Sequence, residues 1–208
     1  MAFLVFEGID GSGKSTLLNL LCGKLKEQKL PFVQTKEPGG TKIGQKIRKL
    51  LLEKDNTHLS PLAETLLYYA DRRQHIEEFI KPHLKKNITV VSDRYWASTS
   101  AYQCGGRDIS ESFVESLKNQ ICKDCEPDLW ILLDLPTETT LKRLFVSKKD
   151  NRDRMEMETS SFHQKVRDYY LQLAKKDPNK WLVLSGEKSP PLLLKELMSH
   201  LNSKEILL

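Results

Sequence analysis

The sequence predicts an α/β fold: five parallel strands in one sheet, with helices on both of its faces. Three observations predict it. Five short runs, at 2–6, 30–36, 87–93, 129–134 and 181–184, are dominated by apolar and β-branched residues, the pattern of strands covered on both faces. Segments of helical periodicity separate successive runs, and strands that alternate with helices pair in parallel. Finally, Gly8-Ile9-Asp10-Gly11-Ser12-Gly13-Lys14-Ser15 fits G-x-x-x-x-G-K-[ST] at every fixed position, between the first run and the first helical segment.

Ala2–Phe6 is the first strand, and Ser15–Gln28 the first helix, with Leu17, Leu18, Leu21 and Leu25 on one face. The glycine-rich loop between them turns backbone N–H groups and the positive end of the helix toward one small volume, which suits polyphosphate. Gly8, Ile9, Asp10, Gly11, Ser12, Gly13, Lys14, Ser15 and Thr16 are therefore the expected contacts of a nucleoside triphosphate. Lys14 can reach the terminal phosphates, and the Ser15 hydroxyl can ligate Mg²⁺. In this setting the expected fold is that of a P-loop NTPase.

Leu30–Lys36 is the second strand, closed by the turn Glu37-Pro38-Gly39-Gly40-Thr41. A helix starts at Thr41, with Ile43, Ile47, Leu50 and Leu51 as its expected apolar face, and fades at 54–56. Ser60-Pro61 opens a longer helix through Leu62, Leu66, Leu67 and Tyr69 toward Ile80, with Pro82 near its close. Asn87–Asp93 is a buried strand ending in an acid. Tyr95–Gln103 reads as a short helix stopped by Gly105-Gly106, followed by a helix over 110–121. Strand 129–134 and helix 137–145 lead into a charged stretch without apolar periodicity. The helix 159–175, the strand 181–184 and the helix 190–201 complete the chain. Ligands of parallel α/β sheets sit beyond the carboxyl ends of the strands. That rule gathers Gly8–Ser15, Glu37–Gly40, Asp93-Arg94 and the loop after Leu184 around one crevice.

At 208 residues the chain is expected to be one domain with a lid segment at 147–156. Its net charge of +5 is spread over scattered or paired basic residues, which favours small phosphate ligands over a nucleic-acid track. No apolar run approaches the ~18–20 residues of a membrane span, and the apolar start is too short for a signal-peptide core. The expected location is the cytoplasm, with Cys22, Cys104, Cys122 and Cys125 as reduced thiols. Cys122-Lys123-Asp124-Cys125 lacks the second ligand pair that a zinc site requires.

Several segments together carry a resemblance: Phe6-Glu7-Gly8 with the phosphate loop, Lys36-Glu37-Pro38-Gly39-Gly40-Thr41 and Tyr69-Ala70-Asp71-Arg72. They continue with Asp93-Arg94-Tyr95, Ser98-Thr99-Ser100-Ala101-Tyr102-Gln103 and Asp153-Arg154-Met155-Glu156. The chain resembles the thymidylate kinases of bacterial type, almost end to end. The resemblance implies transfer of the γ-phosphoryl group of ATP to thymidine monophosphate (dTMP), with Mg²⁺ held by Ser15 and Asp93, and a homodimer formed through helices flanking the site.

It also implies the roles of individual residues. Arg94 and Arg48 resemble the two clamps on the acceptor phosphate, for which the planar guanidinium fork is suited. Asp10 resembles the acid near the acceptor's sugar and phosphate, and Glu37 and Pro38 belong to the acceptor site. Arg72 matches the donor to the thymine 4-carbonyl, with Arg73 as its rival in register. Tyr68, one helical turn earlier, lies beneath the ring. Thr99 and Gln103 match positions that meet the base, and Tyr102 a ring against the deoxyribose. Where some members carry an arginine in the phosphate loop, this chain has Gly11. That departure points to a catalytic arginine in the lid, with Arg152 and Arg154 as candidates and Arg143 read as surface. The lid is expected to be mobile without ligand and to close over ATP.

The alternative is another small P-loop kinase, acting on a different nucleotide or on a nucleoside. A nucleoside hydroxyl would need a carboxylate base, for which Glu37 or Asp93 could serve. A GTP-dependent switch is disfavoured by the lack of an N-K-x-D motif, and a non-catalytic ATP-binding module is the third reading.

Overall fold

A computed structural model describes residues 1–148 and 152–206. Five strands form one parallel sheet: β1 (Phe3–Glu7), β2 (Phe32–Lys36), β3 (Thr89–Asp93), β4 (Leu129–Asp134) and β5 (Trp181–Ser185), in the order β2-β3-β1-β4-β5. The expected fold class is the observed one. The strands β3 and β4 flank β1, with Phe6 opposite both Asp93 and Ile131, so three strand ends meet at the phosphate loop.

Strand alternation divides the core. Phe3, Val5 and Trp130 point to one face, toward Tyr69, Val114, Val166 and Tyr170 on helices α3 (Pro61–His75), α6 (Glu111–Ile121) and α8 (Ser160–Lys176). Leu4, Phe6 and Ile131 point to the other, against Leu17, Leu21 and Leu25 of α1 (Lys14–Glu27) and Leu193 and Leu197 of α9 (Pro190–Ser203).

The remaining helices depart from the sequence expectation in instructive ways. In α2 (Lys42–Leu52) only Leu51 of the expected apolar face is buried, whereas Ile43 and Leu50 are half exposed. The long helix after Ser60 continues past α3 through a π-helical stretch, Ile76–Ile80, into α4 (Lys81–Leu84). The helix expected over Tyr95–Gln103 does stop at Gly105 and Gly106, but it includes both glycines. They close a π-helical stretch, Ser100–Gly106, that extends α5 (Trp96–Thr99), and a Cβ on Gly106 would lie 2.4 Å from the Phe162 ring. The glycines make room for α8. Helix α7 (Thr137–Lys148) precedes the expected lid, of which 149–151 lie outside the described residues. From 152 onward the charged stretch has an ordered turn: Asp153 Oδ1 accepts from the backbone N–H groups of Met155 and Glu156, both at 3.0 Å.

Candidate active site

The phosphate loop follows β1 directly. Its Lys14 is 5% exposed and folds back, Nζ donating to the carbonyls of Gly8 (2.8 Å) and Ile9 (3.1 Å), with Asp10 at 3.7 Å. Burial, with help from Arg94, pushes the Lys14 pKa down, against the attraction of Asp10, Asp93 and Glu7. Gly11 has φ +85°, and a Cβ there would meet the Thr140 carbonyl oxygen at 2.7 Å. An arginine cannot take this position without displacing α7, which gives a physical reason for its absence from the loop. Ser15 and Thr16 are exposed on the first turn of α1.

At the end of β3, Asp93 stands beside this loop. Ser15 Oγ donates to Asp93 Oδ2 at 3.4 Å, and Asp93 Oδ1 is buried with no hydrogen-bond partner among the described residues. Arg94 follows in a left-handed conformation, φ +75°, that a non-glycine residue keeps only where its surroundings impose it. They do so here. Its N–H donates to Phe6 O (2.9 Å), while Ser92 Oγ donates to the Arg94 carbonyl (2.8 Å). The twist aims the guanidinium at Asp10 Oδ1 (2.8 Å), Tyr102 OH (3.2 Å), Ser98 Oγ (3.0 Å) and Tyr170 OH (3.2 Å).

Behind Arg94 lies Glu7, fully buried. It accepts from Tyr95 N (2.9 Å), Ser98 Oγ (2.6 Å) and Tyr170 OH (2.8 Å), the last two of which also meet Arg94. Burial pushes its carboxyl pKa up, opposed by Arg94 and by hydrogen bonds from Ser98, Tyr170 and Tyr95.

The other end of the cleft is built around Arg72, 1% exposed. Nε donates to Glu37 Oε2 (2.8 Å), Nη1 to Thr99 Oγ1 (3.0 Å) and Nη2 to Tyr95 O (3.0 Å). The other Glu37 oxygen meets His75 Nδ1 at 2.8 Å. Both Glu37 oxygens are thus engaged, one by Arg72 and the other by His75. The adjacent Arg73 points elsewhere, to Ile121 O and the acids Glu77 and Asp124, so of the two rivals Arg72 is the one that lines the cleft. Asp71 Oδ1 accepts from Gly39 N (3.0 Å) and fixes the Glu37–Gly40 turn. Arg48 lies across that turn, Nη1 on Pro38 O at 2.8 Å.

Asp10, Ser15, Glu37, Pro38, Arg48, Tyr68, Arg72, Asp93, Arg94, Thr99, Tyr102 and Gln103 line one cleft, joined by Asp153, Met155 and Glu156 of the lid segment. The lid arginines do not. Arg154 Nε and Nη2 donate to Leu51 O at 3.1 and 2.9 Å, and Nη2 pairs with Glu64. Arg152 has its guanidinium 5.7 Å from the Phe145 ring centroid, with Nε buried and unpartnered among the described residues. Arg143 is exposed, with Nη1 on Gly186 O.

Sequence reasoning overlooked Glu7, Glu64, His75, Ser98 and Tyr170. An acid inside an apolar strand was a usable signal for Glu7, and an acid two turns before Arg72 and a histidine three residues after it were signals for Glu64 and His75. Tyr170 had none, because only the folded chain brings it to Arg94.

A phosphate loop at the centre of a parallel sheet, with an arginine-lined second compartment along the same strand ends, defines a small P-loop kinase. The comparison with known proteins is more specific. The thymidylate kinase family profile matches residues 6–197. A thymidylate kinase of Bdellovibrio bacteriovorus is 38% identical, covering 100% of this chain and 98% of its own length. One from Carboxydothermus hydrogenoformans is 43% identical, covering 96% of each. The crystal structure of thymidylate kinase from Ehrlichia chaffeensis superposes with a TM-score of 0.77 at 32% identity, covering 97% of this chain and 98% of that one. The chain belongs to the thymidylate kinase family, enzymes that phosphorylate dTMP to the diphosphate with ATP.

Proposed function

We propose that the chain, a single domain with a lid, transfers the γ-phosphoryl group of ATP directly and in line to the 5′-phosphate of dTMP, for dTTP synthesis. The observation that carries this reading is the placement of Arg94. It stands between the phosphate loop and the Arg72 compartment, held by Asp10, where a clamp on an acceptor phosphate is needed. The acceptor oxygen belongs to an ionised phosphate, so the task is to align two anions and neutralise developing charge. The engagement of Glu37 by Arg72 and His75 fits a reaction without a general base.

In this reading the loop amides of Gly8 to Thr16 and Lys14 hold the donor phosphates, Arg94 and Arg48 hold the acceptor phosphate, and Tyr102 and Asp10 meet the sugar. Arg72, Thr99, Gln103 and Tyr68 surround the base, and a lid arginine, Arg152 or Arg154, is brought to the transferring group. The buried, unpartnered Asp93 Oδ1 beside Ser15 Oγ suits a hard divalent cation, so these two would hold Mg²⁺, directly or through water. The ion would offset charge on the donor phosphates.

Among the described residues no helix is long and apolar enough to cross a membrane. The four free cysteines support a cytoplasmic location, and scattered positive charge supports small nucleotides rather than nucleic acid as partners. Half-exposed Ile43, Leu50, Leu62 and Leu66 on the mutually packed helices α2 and α3 support a homodimer.

A coupled assay of ATP with a panel of nucleoside monophosphates, and with thymidine, tests the reading. We expect dTMP above dUMP by about 10–200-fold, the ~1–3 kcal/mol of a methyl in an apolar pocket, and dCMP far behind. Thymidine turned over as well as dTMP would assign the site to a nucleoside kinase instead.

A further inference from the structure

Glu64, on the first turn of α3, is fully buried and lies behind the cleft. Its Oε1 accepts from Gln103 Nε2 at 2.8 Å and from Arg107 Nε at 3.4 Å, and its Oε2 pairs with Arg154 Nη2. We infer that Glu64 is a positioning residue that sets base specificity: by accepting from the Gln103 amide it turns the Gln103 carbonyl oxygen to the acceptor pocket, and with its second oxygen it seats the lid. The inference rests on dTMP being the acceptor.

A carboxylate paired with two arginines is acceptor-only, so the Gln103 group that faces Glu64 must be the NH₂. The Gln103 Oε1 is then the other end of the amide. It is buried without a partner among the described residues, on a side chain that lines the cleft. A buried amide carbonyl held this way selects for a donor. Thymine and uracil present N3–H, whereas cytosine presents a lone pair at N3, and two acceptors would face each other.

The second oxygen reaches the lid. Arg154 joins Glu64 to the Leu51 carbonyl at the C-terminal end of α2, where cations are favoured, and the Arg154 N–H donates to Leu52 O at 3.4 Å. Arg154 is thus a latch between the lid and the acceptor side.

The test is the ratio of kcat/KM for dTMP over dCMP, measured on single preparations of wild type, Glu64→Gln and Glu64→Asp, so that any misfolded fraction cancels. A glutamine at 64 can donate as well as accept, which frees the Gln103 amide to flip. The ratio should fall about 10- to 100-fold in Glu64→Gln and stay near wild type in Glu64→Asp, even where both lose rate. If turnover is too slow, the ratio of dissociation constants for dTMP and dCMP gives the same comparison. A high wild-type ratio left unchanged in Glu64→Gln would overturn the role of Glu64 alone. A wild-type ratio near one would overturn the dTMP reading, and with it this inference.

Discussion

Arg72 Nε and Glu37 Oε2 form a 2.8 Å ion pair in which each side chain is 2% exposed. Removing one partner of such a pair strands the other charge, which costs about 3–5 kcal/mol. Arg72→Ala should lose that much in urea unfolding at neutral pH, together with selectivity for dTMP over dCMP. Glu37→Gln keeps the shape but leaves the buried Arg72 charge without its counter-ion, so it should cost a similar amount. It should also raise the KM for dTMP, since Arg72 is then aimed by Thr99 and Tyr95 alone. An Arg72→Ala enzyme that kept its base selectivity would remove Arg72 from base reading.

Lys14→Ala and Arg94→Ala should fail in different ways. Lys14 rests on the Gly8 and Ile9 carbonyls and can swing to the donor phosphates, so its loss should lower kcat by about 10²–10³ even at saturating ATP. Arg94 would touch the acceptor phosphate in the ground state and the transition state alike. Its loss should raise the KM for dTMP as well. Steady-state kinetics in both substrates separates the two patterns.

The sheet was legible because its three inner strands are buried on both faces and read as near-continuous apolar runs, a pattern that needs no knowledge of partners. So was the loop Gly8–Ser15, whose spacing carries its own geometry. The helix α2 misled: Ile43 and Leu50 sit at apolar-face spacing yet remain half exposed, because periodicity reports which face is apolar and not what covers it. The supports of the site were less visible still. Ser98 and Tyr170 both bridge Glu7 and Arg94, and the Tyr170 link to Glu7 spans 163 residues, beyond any local pattern. The lid's charge richness pointed to function, but which arginine goes where depends on the Leu51 carbonyl and on Glu64.

That half-exposed face of α2 and α3 yields a prediction. Ile43, Leu50, Leu62 and Leu66 should be covered by a second copy of the chain. Leu66→Glu would bury a charge in such an interface, and light scattering coupled to size exclusion should show a shift from dimer to monomer. A wild-type chain that elutes as a monomer at micromolar concentration would rule this face out as a dimer contact.

Burial, reinforced by Glu37, pushes the Asp71 carboxyl up to about 6 from 3.8, despite its bond from Gly39. The fold thus prefers the protonated acid. Its contribution is favourable below about pH 4 and is lost as pH rises through about 6. Asp71→Asn keeps an acceptor for Gly39 and does not titrate. From pH 4 to 7, urea unfolding should show the variant gaining on wild type by up to about 3 kcal/mol, since each tenfold change in proton affinity is worth about 1.4 kcal/mol. Parallel stability curves would show that Asp71 is ionised in the native state at no cost.

The lid arginines give the sharpest separation. Arg152, with Nε unpartnered, should act on charge that appears only during transfer, a contribution worth ~10³–10⁵ in kcat in related phosphoryl transfers. Arg152→Ala should therefore lower kcat by orders of magnitude and leave the KM for dTMP nearly unchanged. Arg154 holds the lid segment to Leu51 and Glu64, and so acts on the acceptor side before transfer begins. Arg154→Ala should raise the KM for dTMP and lower kcat less steeply. Arg154→Lys should recover part of the KM, because an ammonium can still meet both the carboxylate and the helix end. Placing an arginine at Gly11 should not rescue Arg152→Ala, since its Cβ would collide with the Thr140 carbonyl. If instead Arg154→Ala abolished kcat while Arg152→Ala had little effect, the two roles would be exchanged. The contacts of Arg154 with Leu51 and Glu64 would then belong only to the lid's resting position.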